Sequence, residues 1–314
     1  MSWTSACAAS VPTLAGLALA CGGHVAPASL PQPTRTTAEV LAAATADDYR
    51  ALDPDNVLVL EFAVGRVVVA LTPAFAPRHV ANLKALVRQG YFDGLAVVRV
   101  QDNYVVQWGD PTEKKDLGAV PRGLPAEYER PLAGLPFEPL PDGDVYAPEV
   151  GWSDGFAAGR DPTTGMAWPL HCYGVVGVGR DVPPSTGDAN ELYAVSGHAP
   201  RHLDRNLALV GRVIRGLERL TALPRGTEAL GFYATPESRT PLLRARLAAD
   251  IPAAERTRWE LLRTDTVLWR EYVASRRFRR EPFFAAPTGR VEVCNVSVAM
   301  RETPPESFAV PPQK

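Results

Sequence analysis

Basic and acidic side chains nearly cancel in this chain, leaving a net charge of −2. With no basic surplus to meet phosphate, nucleic-acid binding is not expected. Histidine and cysteine are scarce, 5 and 4 residues of 314. No Cys-x-x-Cys occurs, and His171 and Cys172 are adjacent, which on a strand sends them to opposite faces. A metal site is therefore not expected. Asp142-Gly143-Asp144 lacks further acidic residues at alternate positions and reads as a turn rather than a calcium loop. Ser196, His198, His202 and Asp204 lie close together, but there is no Gly-x-Ser-x-Gly elbow and residues so near in sequence seldom reach triad geometry. Beyond the N-terminal segment, no apolar run approaches the ~20 residues of a spanning helix.

That N-terminal segment, 1–28, carries no Asp, Glu, Lys or Arg and contains Leu14-Ala15-Gly16-Leu17-Ala18-Leu19-Ala20-Cys21. It resembles a secretory signal without the usual basic start. Cys21 after Leu19-Ala20 resembles a lipoprotein cleavage box with its leucine one position late, so a lipid anchor at Cys21 is one option and an Ala-rich disordered leader another. The expectation is a periplasmic or secreted monomer, soluble or lipid-anchored. With Cys7 and Cys21 in the leader, Cys172 and Cys294 either pair in an oxidising compartment or stay as free buried thiols.

An apolar fraction of 46% is enough for a core, and the length allows one large domain with extensions. Residues 29–55 read as a Pro-rich linker, then a helix from Ala38 to Ala51 capped by Thr37, then the turn Asp53-Pro54-Asp55-Asn56. Val57 to Leu71 reads as two alternating strands around a glycine turn at Gly65. Ala76-Pro77 starts a helix on which Val80, Leu83, Leu86 and Val87 recur at helical spacing, and Gly90 and Gly94 stop it. An insertion at about 131–169, dense in Pro, Gly and Asp, reads as a long loop. In Pro241 to Ile251, Leu243, Ala245 and Leu247 alternate with arginines as in a half-exposed strand. The extension 252–314 opens with Thr264-Asp265-Thr266, able to cap a helix striped with Val267, Leu268, Tyr272 and Val273. The basic run Arg276 to Arg280 ends it, either as a solvated helix terminus favoured by the dipole or as a contact for a membrane surface or acidic partner. Arg290 to Met300 is expected to be a strand of the main sheet, and Asn295-Val296-Ser297 matches a glycosylation triplet.

The most informative stretch is Val97-Val98-Arg99-Val100-Gln101-Asp102-Asn103-Tyr104-Val105-Val106-Gln107-Trp108-Gly109-Asp110. It resembles the active-site strand pair of the cyclophilins, which usually read Phe-His-Arg, an aromatic, then Gln-Gly-Gly-Asp at the same spacing. Downstream, His171 to Arg180, Asn190 to Val195, and His202-Leu203-Asp204-Arg205 leading to Gly211-Arg212-Val213 resemble the remaining family segments in order. The resemblance covers about half of the chain over 56–251. It implies a mainly β protein, a closed eight-stranded antiparallel barrel capped by helices, here with the long insertion loop and a C-terminal helix-strand extension.

It also implies a peptidyl-prolyl cis-trans isomerase that uses no cofactor and takes proline-containing polypeptides. Arg99 and Gln107 match the family's catalytic positions, and Tyr104, Val105, Trp108, Gly179, Tyr193, His202, Leu203 and Leu207 match its substrate groove. Several positions depart from the pattern: Val97-Val98 for Phe-His, Trp108 for glycine, Gly179-Arg180 for Ala-Asn, Glu191 for glutamine, Tyr193 for phenylalanine and Leu207 for histidine. A proline-peptide binding or chaperone module is the rival expectation, and a purely structural envelope protein a third.

Overall fold

The computed structural model describes residues 34–110, 112 and 114–304. The expected leader, with Cys7, Cys21 and most of the linker, lies outside the described residues. Element by element, α1 (Thr37–Ala42), β1 (Tyr49–Ala51), β2 (Val57–Phe62), β3 (Gly65–Leu71), α2 (Pro77–Arg88), β4 (Ala96–Val100) and β5 (Val105–Gly109) lead into the insertion. The insertion forms β6 (Arg130–Pro131), β7 (Glu138–Leu140), β8 (Glu149–Ser153), β9 (Phe156–Asp161) and β10 (Met166–Pro169). Then come β11 (Val175–Val178), β12 (Glu191–Val195), β13 (Leu209–Arg215), α3 (Leu217–Thr221), β14 (Leu242–Leu247), β15 (Arg258–Leu262), α4 (Val267–Arg277) and β16 (Met300–Thr303).

Eight strands form the main sheet in the order β14-β2-β3-β13-β11-β12-β5-β4. Its ends meet where the Val97 N–H donates to the Thr240 carbonyl at 2.8 Å and the Leu242 N–H to that of Leu95 at 2.8 Å, which nearly closes a barrel. Leu58, Leu60, Phe62, Val67, Val69 and Leu71 point inward to meet Val106, Trp108, Leu192 and Val210. The opposite faces of β2 and β3 are covered too, because Val57, Val59 and Val68 pack on Ala248 and Trp259. The alternation expected of these strands is therefore absent: both faces are buried, which is why nearly every residue of β2 and β3 is apolar. Pro77 begins α2, whose buried Val80, Leu83, Leu86 and Val87 join the barrel core, and Gly90 takes φ +72° just past its end.

Several expectations need correction. The insertion is not a loop but a five-stranded sheet in the order β6-β10-β9-β8-β7; its short strands, broken by turns at Pro and Gly, hide the periodicity that would announce them. The helix expected at 38–51 stops at Ala42. Its cap is Thr36, whose side chain and that of Glu39 form a capping box, and the chain turns into β1. A register shift between Leu242 and Arg244 turns Leu243 outward at 59% exposed, so Leu242, Ala245 and Leu247 supply the buried face of β14. The final strand is Met300–Thr303, not 290–300. It pairs with β15 in a separate sheet, β1-β15-β16, rather than with the barrel. Thr266 does cap α4, accepting from the Trp269 N–H at 3.1 Å.

A second core joins the outer barrel face to these additions. Val105, Tyr193, Val195 and Leu209 pack with Trp152 and Trp168 of the insertion and with Trp269 and Tyr272 of α4. The Cys172–Cys294 disulfide crosses the same junction. The two carboxylates of Asp142-Gly143-Asp144 face cations of the protein itself: Asp142 accepts from Arg277 at 2.6 and 2.8 Å, and Asp144 from Arg201 at 2.9 and 3.1 Å. Arg277, from the expected basic tail, is thus turned inward.

Candidate active site

On β5 the period of two sends Val105 and Gln107 outward and Val106 and Trp108 inward. Arg99, on the neighbouring β4, is registered opposite Gln107. Its Nη1 donates to Gln107 Oε1 at 3.1 Å, its Nε to the Leu230 carbonyl at 2.6 Å, and its Nη2 to Gln101 Oε1. The guanidinium also lies 5.7 Å from the Tyr104 ring and 5.5 Å from the Phe232 ring, between two aromatic faces. Burial lowers the Arg99 pKa from its ordinary value, with the Tyr104 and Glu191 oxygens opposing.

A guanidinium carries five N–H donors. Three of them are engaged in these bonds, which leaves one on each terminal nitrogen for a ligand. Because Gln107 Oε1 is occupied by Arg99, its amide NH2 is the part left to donate outward. The arrangement therefore offers fixed donors beside an apolar wall.

That wall comes from β5, β12 and the segment before β13. Val105 and Tyr193 are buried, and Tyr104 and Leu207 are partly buried against the same cluster. Leu203 is half-buried in a 3₁₀ turn, and the exposed His202 ring lies parallel to Tyr104 with centroids 6.4 Å apart. Gly179 donates its N–H to the Glu191 carbonyl at 2.8 Å, beside the same strands. Trp108 is the exception among the expected groove residues. It is fully buried inside the barrel, edge-on to Phe62 at 5.9 Å, so the strand's alternation removes it from the groove.

Behind the wall runs a buried polar chain that the sequence reading missed. Tyr193 Oη lies 3.0 Å from His171 Nε2, and His171 Nδ1 lies 2.9 Å from Asp204 Oδ1, which also accepts the His171 backbone N–H at 2.9 Å. Asp204 Oδ2 accepts from Arg201 Nε at 2.5 Å, and Arg201 reaches Asp144. A carboxylate at Nδ1 places the ring proton there, so Nε2 accepts from the tyrosine hydroxyl. Burial pushes the Tyr193 pKa well above its ordinary value, which keeps that hydroxyl a donor. Burial also opposes the Arg201 charge, yet Asp204 and Asp144 outweigh it and raise its pKa. Gly177, paired with Tyr193 across the sheet, makes room for the ring, since a Cβ there would lie 2.2 Å from the phenol oxygen.

Asp204 thus turns to His171 and Arg201, and no triad forms with His198, His202 and Ser196. Phe232 and Leu230 had no local signature, because they reach Arg99 only through a bridge between distant segments. His171 could have been noticed as a histidine whose flanking segment already resembled the family.

Comparison with known proteins identifies the family and the fold. A family model described as cyclophilin type peptidyl-prolyl cis-trans isomerase/CLD matches residues 57–244. A Brucella suis biovar 1 (strain 1330) protein named a probable peptidyl-prolyl cis-trans isomerase is 27% identical over 201 residues, 64% of this chain and 86% of that protein. A Synechocystis relative whose name places it in the thylakoid lumen is 23% identical over 178 residues, 52% of this chain and 42% of its own. Among solved structures, cyclophilin AquaCyp293 from Hirschia baltica superposes with a TM-score of 0.64 at 24% identity, covering 87% of this chain and 99% of that one, a likeness of fold.

Proposed function

The chain belongs to the cyclophilin-type peptidyl-prolyl cis-trans isomerase family, and from that premise we propose that it rotates Xaa-Pro bonds of exported proteins, with Arg99 stabilising the twisted amide and no cofactor. Rotation faces a barrier of ~18–20 kcal/mol because the peptide C–N bond has partial double-bond character. As the amide twists, the prolyl nitrogen regains its lone pair and becomes an acceptor. A donor held where that lone pair emerges stabilises the transition state more than the planar ground state. Arg99 is such a donor, and Gln107 holds the substrate backbone through its NH2 while Tyr104, Val105, Leu203 and Leu207 receive the pyrrolidine ring.

The observation that carries this reading is the clamp on Arg99, two side-chain amides, one carbonyl and two rings around a single guanidinium. Such fixation is what electrostatic preorganisation requires. Export is supported by the charge-free leader, by the relative named for the thylakoid lumen and by the disulfide, a bond that persists in oxidising compartments.

Exchange spectroscopy on an Ala-Pro peptide, with N-terminal sequencing of the protein purified from its host, tests both halves. Accelerated exchange and a processed N-terminus are expected. A protein that binds the peptide without accelerating its exchange is a binding module instead, and one that retains Met1 in the cytosol is not exported.

A further inference from the structure

The 3₁₀ turn Arg201–Leu203 is shared by the groove and a second cavity. Its His202 ring lies parallel to Tyr104 of the groove, whereas Arg201 lines a cavity of about 770 Å³. The loop after β12 links the two again: the Ser196 N–H donates to the Tyr104 carbonyl at 2.8 Å and the His198 N–H to Asn103 Oδ1 at 2.7 Å, while Gly197 and His198 line the cavity. One turn and one loop therefore separate the cavity from the groove.

The barrel supplies only part of this cavity. Its other walls come from the insertion, through Val145 and Tyr146, and from the C-terminal extension, through Arg290, Val291 and Glu292. Its apolar lining is open to solvent: Tyr146 is 54% exposed, Tyr173 55% and Val145 92%. The Arg201 guanidinium lies 5.3 Å from the Tyr146 centroid and is itself held by Asp144 and Asp204, which steadies the ring. Ionic groups are matched locally, Asp142 with Arg277 and Asp144 with Arg201, and Arg290 and Glu292 add one charge of each sign. A charged occupant therefore gains little, whereas an aromatic side chain covers the exposed tyrosines and valine. The volume accepts whole side chains. An extended chain spans ~3.3–3.6 Å per residue, so residues a few places from a proline in the groove reach it.

We infer that this cavity is an accessory subsite for the substrate polypeptide, taking an aromatic side chain that lies outside the Xaa-Pro pair. The inference rests on the proposed function and supplies its selectivity: the protein prefers unfolded chains with an aromatic residue near the proline, and Tyr146 and Tyr173 read that residue.

The test uses the intact protein and glycine-flanked Ala-Pro peptides, each with a single phenylalanine about two to six residues from the proline on one side or the other. Calorimetry gives the affinity and exchange spectroscopy the catalysed rate. At least one placement should bind roughly three- to thirtyfold more tightly than the peptide without phenylalanine, the gain from burying part to most of a phenyl ring, with kcat little changed. In the Tyr146→Ala/Tyr173→Ala double variant the two peptides should bind equally. A benzoylphenylalanine at the favoured position should crosslink to the insertion or extension wall, residues 142–146 or 288–295. Equal wild-type affinities at every placement, or crosslinks that miss both walls, overturn the inference, while an accelerated Ala-Pro peptide leaves the proposed function standing. Phenylalanine-dependent binding without acceleration of any peptide supports the subsite and overturns the proposed catalysis instead. A wild-type dimer that the double variant dissociates, with the peptide series flat, would assign the aromatic face to a second copy and overturn the inference. Should the double variant fail to fold, the wild-type series and the crosslinks still decide.

Discussion

Tyr193 Oη and His171 Nε2 lie 3.0 Å apart with their ring planes parallel to within 5°, which ties the ring at the back of the groove to a buried carboxylate and, through Arg201, to the insertion. The insertion thus supports the groove from behind. A phenylalanine at this position would keep the apolar surface but leave the histidine nitrogen without its donor.

Tyr193→Phe should therefore cost about 1–3 kcal/mol of stability, the penalty of an unsatisfied buried polar group, while the KM for a proline peptide changes little. Urea unfolding and peptide kinetics check the two halves. Unchanged stability would show that the hydrogen bond contributes nothing net.

Arg99→Ala should lower kcat/KM by roughly ten- to a hundredfold, because a charge-assisted hydrogen bond made in the transition state is worth ~1.5–3 kcal/mol. Arg99→Lys should recover little, since a point charge cannot reproduce the planar fork. Binding of the peptide should be nearly unaffected in both. NMR exchange with circular dichroism as the folding control is the measurement. A folded Arg99→Ala protein with wild-type exchange rates would remove Arg99 from the mechanism.

Phe232→Ala tests the clamp rather than the donor. Losing one aromatic face costs ~0.5–2 kcal/mol of cation–π attraction, so kcat should fall roughly two- to thirtyfold with KM held. A change confined to KM would mean that Phe232 contacts substrate instead of positioning Arg99.

The Arg99–Gln107 pair was legible because it is local, a fixed spacing across one turn between two neighbouring strands; the barrel was legible only through the family resemblance, since its strand order pairs segments far apart in the chain. The clamp and the polar chain were not, because Phe232, His171 and Asp144 meet their partners only through long-range packing. Trp108 shows the limit of resemblance by position, since matching a groove residue in order does not settle which face of β5 it occupies. The insertion was misread for a related reason. Its β6 and β7 are two and three residues long, too short to reveal a period.

Asp144→Ala should destabilise by about 3–5 kcal/mol, because it leaves the almost fully buried Arg201 partly uncompensated. Combining it with Arg201→Met should recover part of that loss. Equilibrium unfolding of both single variants and the double variant gives the coupling. Strict additivity would show that the pair does not act as a unit.

Stability should fall in acid partly through Asp55. Its carboxylate accepts from Lys84 and Arg88, which holds its pKa below the ordinary value in the folded protein. A depressed folded pKa gives stability that is fully present above the unfolded pKa of ~3.9 and is lost as pH falls through the folded value. The gap between wild type and Asp55→Asn should thus be constant near neutrality and close below about pH 4. Urea midpoints across that range measure it, and a gap that widens in acid would contradict the assignment.

The Cys172–Cys294 bridge closes a loop with a sequence separation of 122. The chain-entropy model assigns such a loop about 5 kcal/mol, an upper guide because strain and residual structure in the unfolded chain reduce it. Neither cysteine is near Arg99 in the hydrogen-bond network, so Cys294→Ser should lower the unfolding midpoint strongly while leaving kcat/KM of the still-folded protein close to wild type. Reduction of the native protein should produce the same shift. Intact mass without reductant establishes the bond first: two alkylatable thiols in unreduced, unfolded protein would mean that the extension is held to the barrel by packing and ion pairs alone.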